Sequence, residues 1–295
     1  MFNKLCIIGV GLIGGSVAKA ARAQGLVKTI VGYGREQDLD NLETAKRLGV
    51  IDEFYIYELK HALDNADCVL IATPVASIEA VFNQLKPYWS NDCIYTDVGS
   101  TKGSVLEAAE RVFGEIPKNL VPAHPIAGAE QSGVTAALVD LYHNRRLIIT
   151  PTETTDSEAV KKIETLWQNM GAIVSIMDAQ HHDSIFAATS HLPHILAFAL
   201  VDMLGHKDEQ TEIFKYAAGG FKDFTRIASS DPTMWKDICK ANKHEILPLI
   251  EQLKGELSKI QQYLVQEDYE QLFATFAYAK LARQRFLEQF ENPSA

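Results

Sequence analysis

Residues 5–14 read Leu-Cys-Ile-Ile-Gly-Val-Gly-Leu-Ile-Gly, and this stretch decides the fold of the 295-residue chain. Its first half is apolar on both faces, which is typical of a strand buried inside a parallel sheet. Its second half is G-x-G-x-x-G and opens a predicted helix, where backbone amides at the helix N-terminus can bind the pyrophosphate of a dinucleotide. We therefore expect a dinucleotide to contact Gly9, Gly11, Leu12, Ile13 and Gly14.

In the first half of the chain, apolar residues alternate between the spacing typical of strands and the spacing typical of helices. Short β-branched runs predict strands at 5–10, 29–33, 68–72, 93–96, 120–122 and 146–150. Helical patterns occur at 13–24, 39–48, 77–84, 104–113 and 158–170. This alternation predicts βαβ units, which build a parallel, doubly wound sheet with helices on both faces.

Strand signals end near residue 177. A last strand is expected at 172–177, and helical patterns follow at 181–204, 211–216 and from 243 onward. We therefore expect an α/β nucleotide-binding domain over residues 1–177 and an all-helical domain over 178–295.

The helical half contains one long apolar seam. Six apolar residues are spaced 4, 3, 4, 3, 4, as on one side of a helix: Ile246, Ile250, Leu253, Leu257, Ile260 and Leu264. The seam fits packing inside the helical domain, a subunit interface, or both.

Composition narrows the classes of function. The 28 Lys and Arg residues against 38 Asp and Glu give a net charge of −10, which argues against a nucleic-acid partner. No uninterrupted apolar run reaches about 18 residues, so no membrane-spanning helix is expected, and the N-terminus lacks the features of a signal peptide. The four cysteines are scattered without a CxxC motif, which favours a reduced, cytoplasmic location.

The end of the second predicted strand bears on the choice of cofactor. NAD-binding enzymes usually place an acidic residue about 20 residues beyond the glycines to bind the ribose 2′-hydroxyl, whereas this chain has Gly34 followed by Arg35. Glycine leaves room for a 2′-phosphate and arginine can pair with it, so the sequence predicts NADP in preference to NAD. In the alternative, Arg35 is solvated and Asp38 or Asp40 does the work of the acid.

Polar residues follow three further predicted strands. Thr73 and Pro74 are expected near the cofactor, because strand carboxyl ends border the ligand crevice of such sheets. Ser100 and His124 follow the next two strands and could converge on one reacting group. On pattern alone, Ser100 could instead be a helix N-cap and His124 a turn residue before Pro125.

Four segments, together with the glycine motif, carry a resemblance to a known family. They are D-x-G-S-x-K-G at 97–103, H-P-I-A-G-x-E-x-S-G at 124–133, S-H-L-P-H at 190–194 and G-G-F-K-D-F-T-R-I-A at 219–228. Nearly the whole chain resembles the prephenate and arogenate dehydrogenases of tyrosine biosynthesis, also called cyclohexadienyl dehydrogenases. This resemblance implies a Rossmann-type domain followed by an all-helical domain that forms a homodimer.

The resemblance also implies NAD(P)-dependent oxidative decarboxylation. A hydride leaves the ring carbon that bears the hydroxyl group, the ring carboxylate departs as CO2, and the ring becomes aromatic. By motif, His124 accepts the hydroxyl proton, Ser100 orients His124 and the hydroxyl, and His194 and Arg226 hold substrate carboxylates with Lys222 nearby. A neutral imidazole suits proton acceptance, and a guanidinium suits a carboxylate.

Histidines cluster in the helical half, where they invite a zinc interpretation. The cluster consists of His181, His182, Asp183, His191 and His194. We expect no metal, because the implied chemistry needs none and the spacing fixes no fourth ligand. We expect His181 and His182 to be solvated and His191 to be structural.

Two other functions fit part of the pattern. A β-hydroxyacid dehydrogenase or a pyrroline-carboxylate reductase would also have a helical second domain, but the former relies on a lysine followed four residues later by asparagine, whereas Lys222 is followed by Arg226. A non-enzymatic NADP-binding sensor gives no reason for Ser100, His124, His194 and Arg226 to occur together. A stand-alone enzyme is expected, with no fused mutase or regulatory domain.

Overall fold

The computed structural model describes residues 1–129, 131–207 and 212–291. Glu130 of the H-P-I-A-G-x-E motif and Thr211 of the helix predicted at 211–216 lie outside these ranges.

A six-stranded parallel sheet forms the first part of the chain, with strand order β3-β2-β1-β4-β5-β6. Its strands are β1 (Phe2–Ile8), β2 (Val27–Tyr33), β3 (Glu53–Tyr55), β4 (Cys68–Ile71), β5 (Ile94–Asp97) and β6 (Leu120–Val121). The order reverses between β1 and β4. Ligands bind at such a switch point, outside the carboxyl ends of the strands, and the glycine motif lies there.

Each face of the sheet has its own apolar core. Leu5 and Ile7 of β1 pack in one core, whereas Cys6 and Ile8 pack in the other, because alternate strand residues point to opposite faces. The first core includes residues of α1 (Leu12–Ala23), α2 (Leu39–Arg47) and α6 (Ser157–Asn169). The second includes residues of α3 (Leu59–Leu63), α4 (Ile78–Leu85) and α5 (Gly103–Phe113). Burial on both faces explains why β1 shows no polar alternation.

A smaller sheet of three strands carries the candidate catalytic histidine. β7 (Ala123–Pro125) pairs antiparallel with β8 (Arg146–Ile149), which pairs parallel with β9 (Ile173–Ile176). His124 lies opposite Ile148 in this ladder. The backbone at His124 is therefore part of a strand and not of a free turn.

After β9 the described chain is helical. The helices are α7 (Ala179–Phe186), α8 (Leu192–Gly205), α9 (Glu212–Lys215), α10 (Gly219–Thr225), α11 (Pro232–Ala241), α12 (Lys243–Val265) and α13 (Tyr269–Glu291). A π-helical turn, Ala187–His191, joins α7 to α8. By length and composition alone, the resulting helix Ala179–Gly205 could cross a membrane, but its buried polar side chains bond to the first part of the chain, as described below.

The predicted fold class is confirmed: a doubly wound α/β sheet is followed by helices. Two strands were not predicted, β3 and β7, because three residues are too few to show an alternating pattern.

By compactness the chain divides into Met1–Glu245 and Ile246–Ala295. The division at 177/178 rests on the change of period and stays a prediction. All of the predicted site residues belong to Met1–Glu245.

Candidate active site

A cleft of about 450 Å³ opens at the carboxyl ends of β1, β2 and β4. Six of the predicted cofactor contacts line it: Gly9, Gly11, Gly34, Arg35, Thr73 and Pro74. The other three, Leu12, Ile13 and Gly14, form the first turn of α1 behind the cleft. The first amides of a helix have no partner inside it, so they are available to an anion.

The glycines of the motif have different physical roles. Gly9 has a φ of +93°, which glycine adopts readily, and an added Cβ would lie 2.7 Å from the Ala72 carbonyl oxygen. A Cβ at Gly14 would collide with the Gly9 carbonyl oxygen, so α1 could not start so close to β1. A Cβ at Gly11 would meet nothing within 4 Å and would occupy open cleft. The open space at Gly11 therefore leaves room for a cofactor phosphate to approach the backbone of the loop.

Arg35 lies at the cleft paired with Asp38, which also lines the cleft. Nε and Nη2 of Arg35 donate to the Asp38 carboxylate at 3.0 and 3.2 Å, and its backbone amide donates at 2.9 Å. Burial alone would raise the pKa of Asp38, but the Arg35 hydrogen bonds hold it below its ordinary value. A Cβ at Gly34 would lie 3.0 Å from Leu42 and 3.2 Å from Asp38. Glycine at this position therefore makes room for these two side chains.

A line of three polar side chains begins at His124. Its Nδ1 lies 2.8 Å from Nε2 of His182, and Nδ1 of His182 lies 2.7 Å from Oδ1 of Asp183. His182 and Asp183 are buried, and the Phe186 ring packs against both imidazoles. The expectation that His182 is solvated is therefore wrong, although its neighbour His181 is exposed as expected.

The Asp183 carboxylate also caps α5. Its oxygens accept from the backbone amides of Lys102 at 2.8 Å and Gly103 at 2.9 Å, two amides that would otherwise lack partners at the helix start. Burial alone would raise the pKa of Asp183, but hydrogen bonds from His182 and these amides hold it below its ordinary value. The alternative that Ser100 caps this helix is wrong, because α5 begins at Gly103 and no side chain of its own segment caps it.

A second buried pair fixes the backbone just before His124. Nζ of Lys102 donates to the Asp97 carboxylate and, at 2.7 Å, to the Ala123 carbonyl oxygen. Asp97 also accepts from the amides of Gly99 at 2.7 Å and Ala123 at 3.3 Å. The acid and the lysine of D-x-G-S-x-K-G thus position the strand that carries His124, a role that the sequence analysis did not assign.

Burial lowers the pKa of the histidines around this line. The pKa of His124 lies well below 6.5, because burial, then His182, Lys102 and His191, disfavour its cation. Burial also lowers the pKa of His182, and Asp183 offsets this only in part. The pKa of His191 falls to about 4, chiefly through burial. His124 is therefore neutral at pH 7 and offers a lone pair to a proton.

His191 has a structural role, as expected. It is buried, and its Nδ1 lies 3.1 Å from Nδ2 of Asn242. The same Asn242 amide donates to the Asp183 carbonyl oxygen at 2.8 Å. These bonds fasten the π-helical turn and α7 to one another.

His194 stands at the beginning of α8. Its Nδ1 donates to the Ser190 carbonyl oxygen at 2.9 Å, and its ring stacks on Trp235 at a centroid distance of 3.7 Å. Burial, and then the Arg226 cation, lower its pKa, whereas the bond to Ser190 opposes them. The preceding π-helical turn lets the helix continue past Pro193, which has no amide hydrogen to donate.

Arg226 begins a short turn, Arg226–Ser229, that packs against α8, the helix that carries His194. Both Arg226 and Lys222 are exposed, and Lys222 lies in α10, which ends just before Arg226. Ser100 is half-buried. Within 1–129, 131–207 and 212–291 it makes no hydrogen bond to His124, whose ring is held by His182.

In the part of the chain that the structure describes, no group of three His, Cys, Asp or Glu side chains could hold a metal ion.

Sequence reasoning missed Asp97, Lys102, His182 and Asp183 as site residues. A signal was present for Asp97, which directly follows the predicted strand 93–96, because a buried charge needs a partner. Lys102, His182 and Asp183 have only polar residues or glycine as sequence neighbours and gave no such signal. The pattern could not show which partner. Sequence reasoning also missed four polar residues of the cleft: Gln37, Asn41, Ser77 and Gln84.

Comparisons with known proteins identify the family to which this chain is similar. The family model for the nucleotide-binding domain of prephenate dehydrogenase matches residues 17–176, and the model for the dimerization domain of prephenate dehydrogenase matches residues 178–278. The chain is 33% identical to the cyclohexadienyl dehydrogenase of Zymomonas mobilis over 288 residues, which cover 96% of each chain. It is 38% identical to the prephenate dehydrogenase of Bacillus subtilis, covering 95% of this chain and 75% of the relative.

One similar solved structure is prephenate dehydrogenase from Aquifex aeolicus in complex with hydroxyphenyl propionate and NAD+. The TM-score is 0.89 at 37% identity, and the match covers 97% of this chain and 99% of that chain.

Gly11→Ala should weaken dinucleotide binding without destabilising the fold. The added methyl group meets no protein atom within 4 Å but occupies cleft space in which we expect the cofactor to bind. We expect the dissociation constant for NADH to rise about tenfold, equivalent to about 1.4 kcal/mol, with an unchanged melting temperature. Fluorescence titration and thermal unfolding measure the two quantities. Gly255→Ala is the matched control, since its methyl group also meets nothing; undiminished binding by Gly11→Ala would contradict the assignment.

The free energy of unfolding should decrease as the pH falls below about 6.5, the ordinary pKa of histidine. The buried rings of His182 and His191 resist protonation in the folded state, so below that pH the unfolded chain binds more protons than the folded chain. Each ring then removes up to about 1.4 kcal/mol per pH unit, a loss that ends for His191 near its folded pKa of about 4. Urea unfolding at about pH 7.5 and about pH 5.5 tests this; equal or greater stability at the lower pH would contradict it.

Proposed function

This chain belongs to the prephenate dehydrogenase family, and we propose that it converts prephenate, arogenate or both, with His124 as the group that accepts the hydroxyl proton. The family reaction is an NAD(P)-dependent oxidative decarboxylation that serves tyrosine biosynthesis. The products are 4-hydroxyphenylpyruvate from prephenate and tyrosine from arogenate. A cytoplasmic location, without nucleic-acid or membrane partners, stays a prediction from composition.

Two bonds of the ring substrate break in this reaction. The C–H electron pair at the hydroxyl-bearing carbon leaves as hydride, which a bound nicotinamide accepts. The electron pair of the bond to the ring carboxylate stays in the ring as CO2 departs, and the ring becomes aromatic. Aromatisation supplies the driving force, so the residues need to bind, orient and manage one proton.

The environment of His124 is the single observation that carries the proposal. Its Nδ1 is hydrogen-bonded to His182, which in turn is hydrogen-bonded to Asp183. No hydrogen bond from the described residues reaches its Nε2, and burial keeps the ring neutral at pH 7. A hydroxyl group becomes more acidic as hydride leaves its carbon, and a neutral imidazole can accept the proton. The proton then returns to the same oxygen, which ends as the phenol of the product.

We assign the carboxylates of the substrate to Arg226 and His194, with Lys222 nearby and Ser100 at the hydroxyl group. Nδ1 of His194 already donates to Ser190, so only a proton on Nε2 lets the ring donate to a carboxylate as well. Burial and Arg226 disfavour that proton in the free enzyme, whereas a bound carboxylate favours it. Prephenate and arogenate share the ring features that these residues would contact, so the same assignment applies to either substrate.

His124→Asn should remove the proton acceptor and keep the fold. We expect kcat to fall about 10²–10⁴-fold, the usual contribution of a general base, with cofactor affinity nearly unchanged. Initial rates of nicotinamide reduction and a cofactor titration measure the two effects. His61→Asn is the control, because His61 is exposed and bonds to Glu58 on the surface. A His124→Asn enzyme as fast as the wild type would refute the role of His124.

The geometry at the cleft also supports a choice of cofactor. The sequence predicts NADP from Gly34 and Arg35, and that preference is untested. Asp38 supports the alternative, because it places a carboxylate in the cleft, occupies the space beside Gly34 and already holds the Arg35 guanidinium. We therefore propose that NAD is preferred, with Asp38 accepting from the ribose 2′-hydroxyl.

Asp38→Asn should shift the enzyme towards NADP. The change removes a charge that repels a 2′-phosphate and frees Arg35 to pair with it, so we expect the NAD to NADP ratio of kcat/KM to fall at least about tenfold. Steady-state kinetics with each cofactor measure the ratio. Asp40→Asn is the control, since Asp40 is exposed and does not line the cleft. A wild-type enzyme that prefers NADP would overturn this proposal and support the prediction from the sequence.

We also propose that the helical region forms a homodimer. Two of the six seam residues are exposed, Leu257 at 56% and Leu264 at 53%. Helix α13 adds exposed aromatic rings, among them Phe273 and Phe276. Exposed apolar surface of this extent marks an interaction site.

Light scattering should give about twice the chain mass of 32.7 kDa. Phe276→Glu should shift the enzyme towards monomer at micromolar concentration, because it places a charge on apolar interface surface. Gln271→Glu, an exposed polar residue of the same helix, is the control. A wild-type protein that is monomeric at micromolar concentration would refute the proposed homodimer.

A further inference from the structure

We propose that His182 and Asp183 are positioning residues that hold His124 in the one tautomer able to accept a proton. The inference rests on the proposed function, because it concerns the same histidine. It adds two residues from α7, a helix to which neither the pattern nor the chemistry of the reaction assigned a part.

The proton positions along the line follow from Asp183. A carboxylate only accepts hydrogen bonds, and Asp183 already accepts from the amides of Lys102 and Gly103. The atom of His182 that faces it at 2.7 Å, Nδ1, must therefore carry a proton. Burial keeps His182 neutral, and a neutral imidazole has one N–H. Its Nε2 is therefore a bare acceptor.

The proton on His182 fixes the tautomer of the next ring. Nε2 of His182 lies 2.8 Å from Nδ1 of His124, and two acceptors cannot share a hydrogen bond. Nδ1 of His124 must therefore donate, which leaves Nε2 of the neutral ring without a proton. This is the atom that faces away from the line, and it is the atom that a substrate hydroxyl needs. In the opposite tautomer, Nε2 would be a donor and could not accept.

The charged and titratable groups around the line keep this arrangement fixed. Lys102, which immediately precedes α5, and Asp97, at the end of β5, form a buried pair beside the two rings. His191 from the π-helical turn also faces them, but its Nδ1 is engaged by Asn242. When His124 takes up the proton, the anion of Asp183 stabilises the imidazolium through His182. No proton needs to move beyond His124.

Two substitutions of His182 distinguish a role in positioning the His124 ring from a role in filling space. His182→Leu fills part of the space but offers no acceptor to Nδ1 of His124, so either tautomer is allowed. His182→Gln keeps a side-chain carbonyl near the position of Nε2. We expect His182→Leu to lower kcat about 10²-fold, in the range expected for a mispositioned base, with KM little changed. His182→Gln should recover at least tenfold of that loss.

His181→Leu is the matched control, since His181 is the exposed neighbour of His182. Each kcat is calculated per cofactor-binding site. A variant that is partly unfolded therefore does not show a falsely low kcat. If the wild type turns over and both His182 variants match it, or if Leu and Gln lose activity equally, the inference is overturned. Absence of turnover by the wild type would instead refute the proposed function.

A measurement on the wild type needs no variant and no substrate. In ¹⁵N-histidine spectra, the coupling pattern reports which ring nitrogen carries the proton. The inference predicts a protonated Nδ1 and a bare Nε2 for both His124 and His182 at pH 7, with His124→Asn and His182→Gln assigning the signals. A protonated Nε2 on His124 would overturn it.

Discussion

The carboxylate of Asp183 is the group on which the candidate site depends. A buried carboxylate is costly unless it is hydrogen-bonded, and this one accepts from two amides at the start of α5 and from His182. It thereby joins a helix of the sheet domain to a helix more than seventy residues later in the chain. Lys102, just before α5, also bonds to the Ala123 carbonyl oxygen next to His124, so the start of this helix helps to hold both the ring of His124 and the strand that carries it.

Burial at this junction also decides the protonation of the site. Imidazoles enclosed by apolar side chains and a lysine resist a second proton, so His124 stays a base at neutral pH. The general consequence is that the same desolvation which limits stability in acid gives the enzyme a neutral proton acceptor. His124 therefore carries no charge until it accepts a proton from the substrate hydroxyl.

Much of the fold was readable from the sequence, because the two-sided burial of a parallel strand and the glycine turn that follows it leave a local pattern. The cleft residues Gly9, Gly11 and Thr73 were found for the same reason. Contacts between distant segments leave no such pattern. Nothing near Asp183 in sequence indicates that it caps α5, and Asp38 was one of two acids that the spacing could not separate.

The short elements show the same limit. β7 has three residues, and the backbone of its first residue, Ala123, bonds to Lys102 and Asp97, which belong to an earlier segment of the chain. His124 could therefore be recognised as a candidate by motif, but only the assembled structure shows what holds it.

Simultaneous measurement of reduced nicotinamide and released CO2 tests whether the protein catalyses oxidative decarboxylation. Purified wild-type protein is given prephenate or arogenate with NAD or NADP, and both products are followed in the same sample. The account predicts equal amounts of the two products from at least one substrate, because hydride loss and decarboxylation aromatise the same ring. Reduced nicotinamide without CO2, or no turnover by folded protein that binds cofactor, would contradict the account.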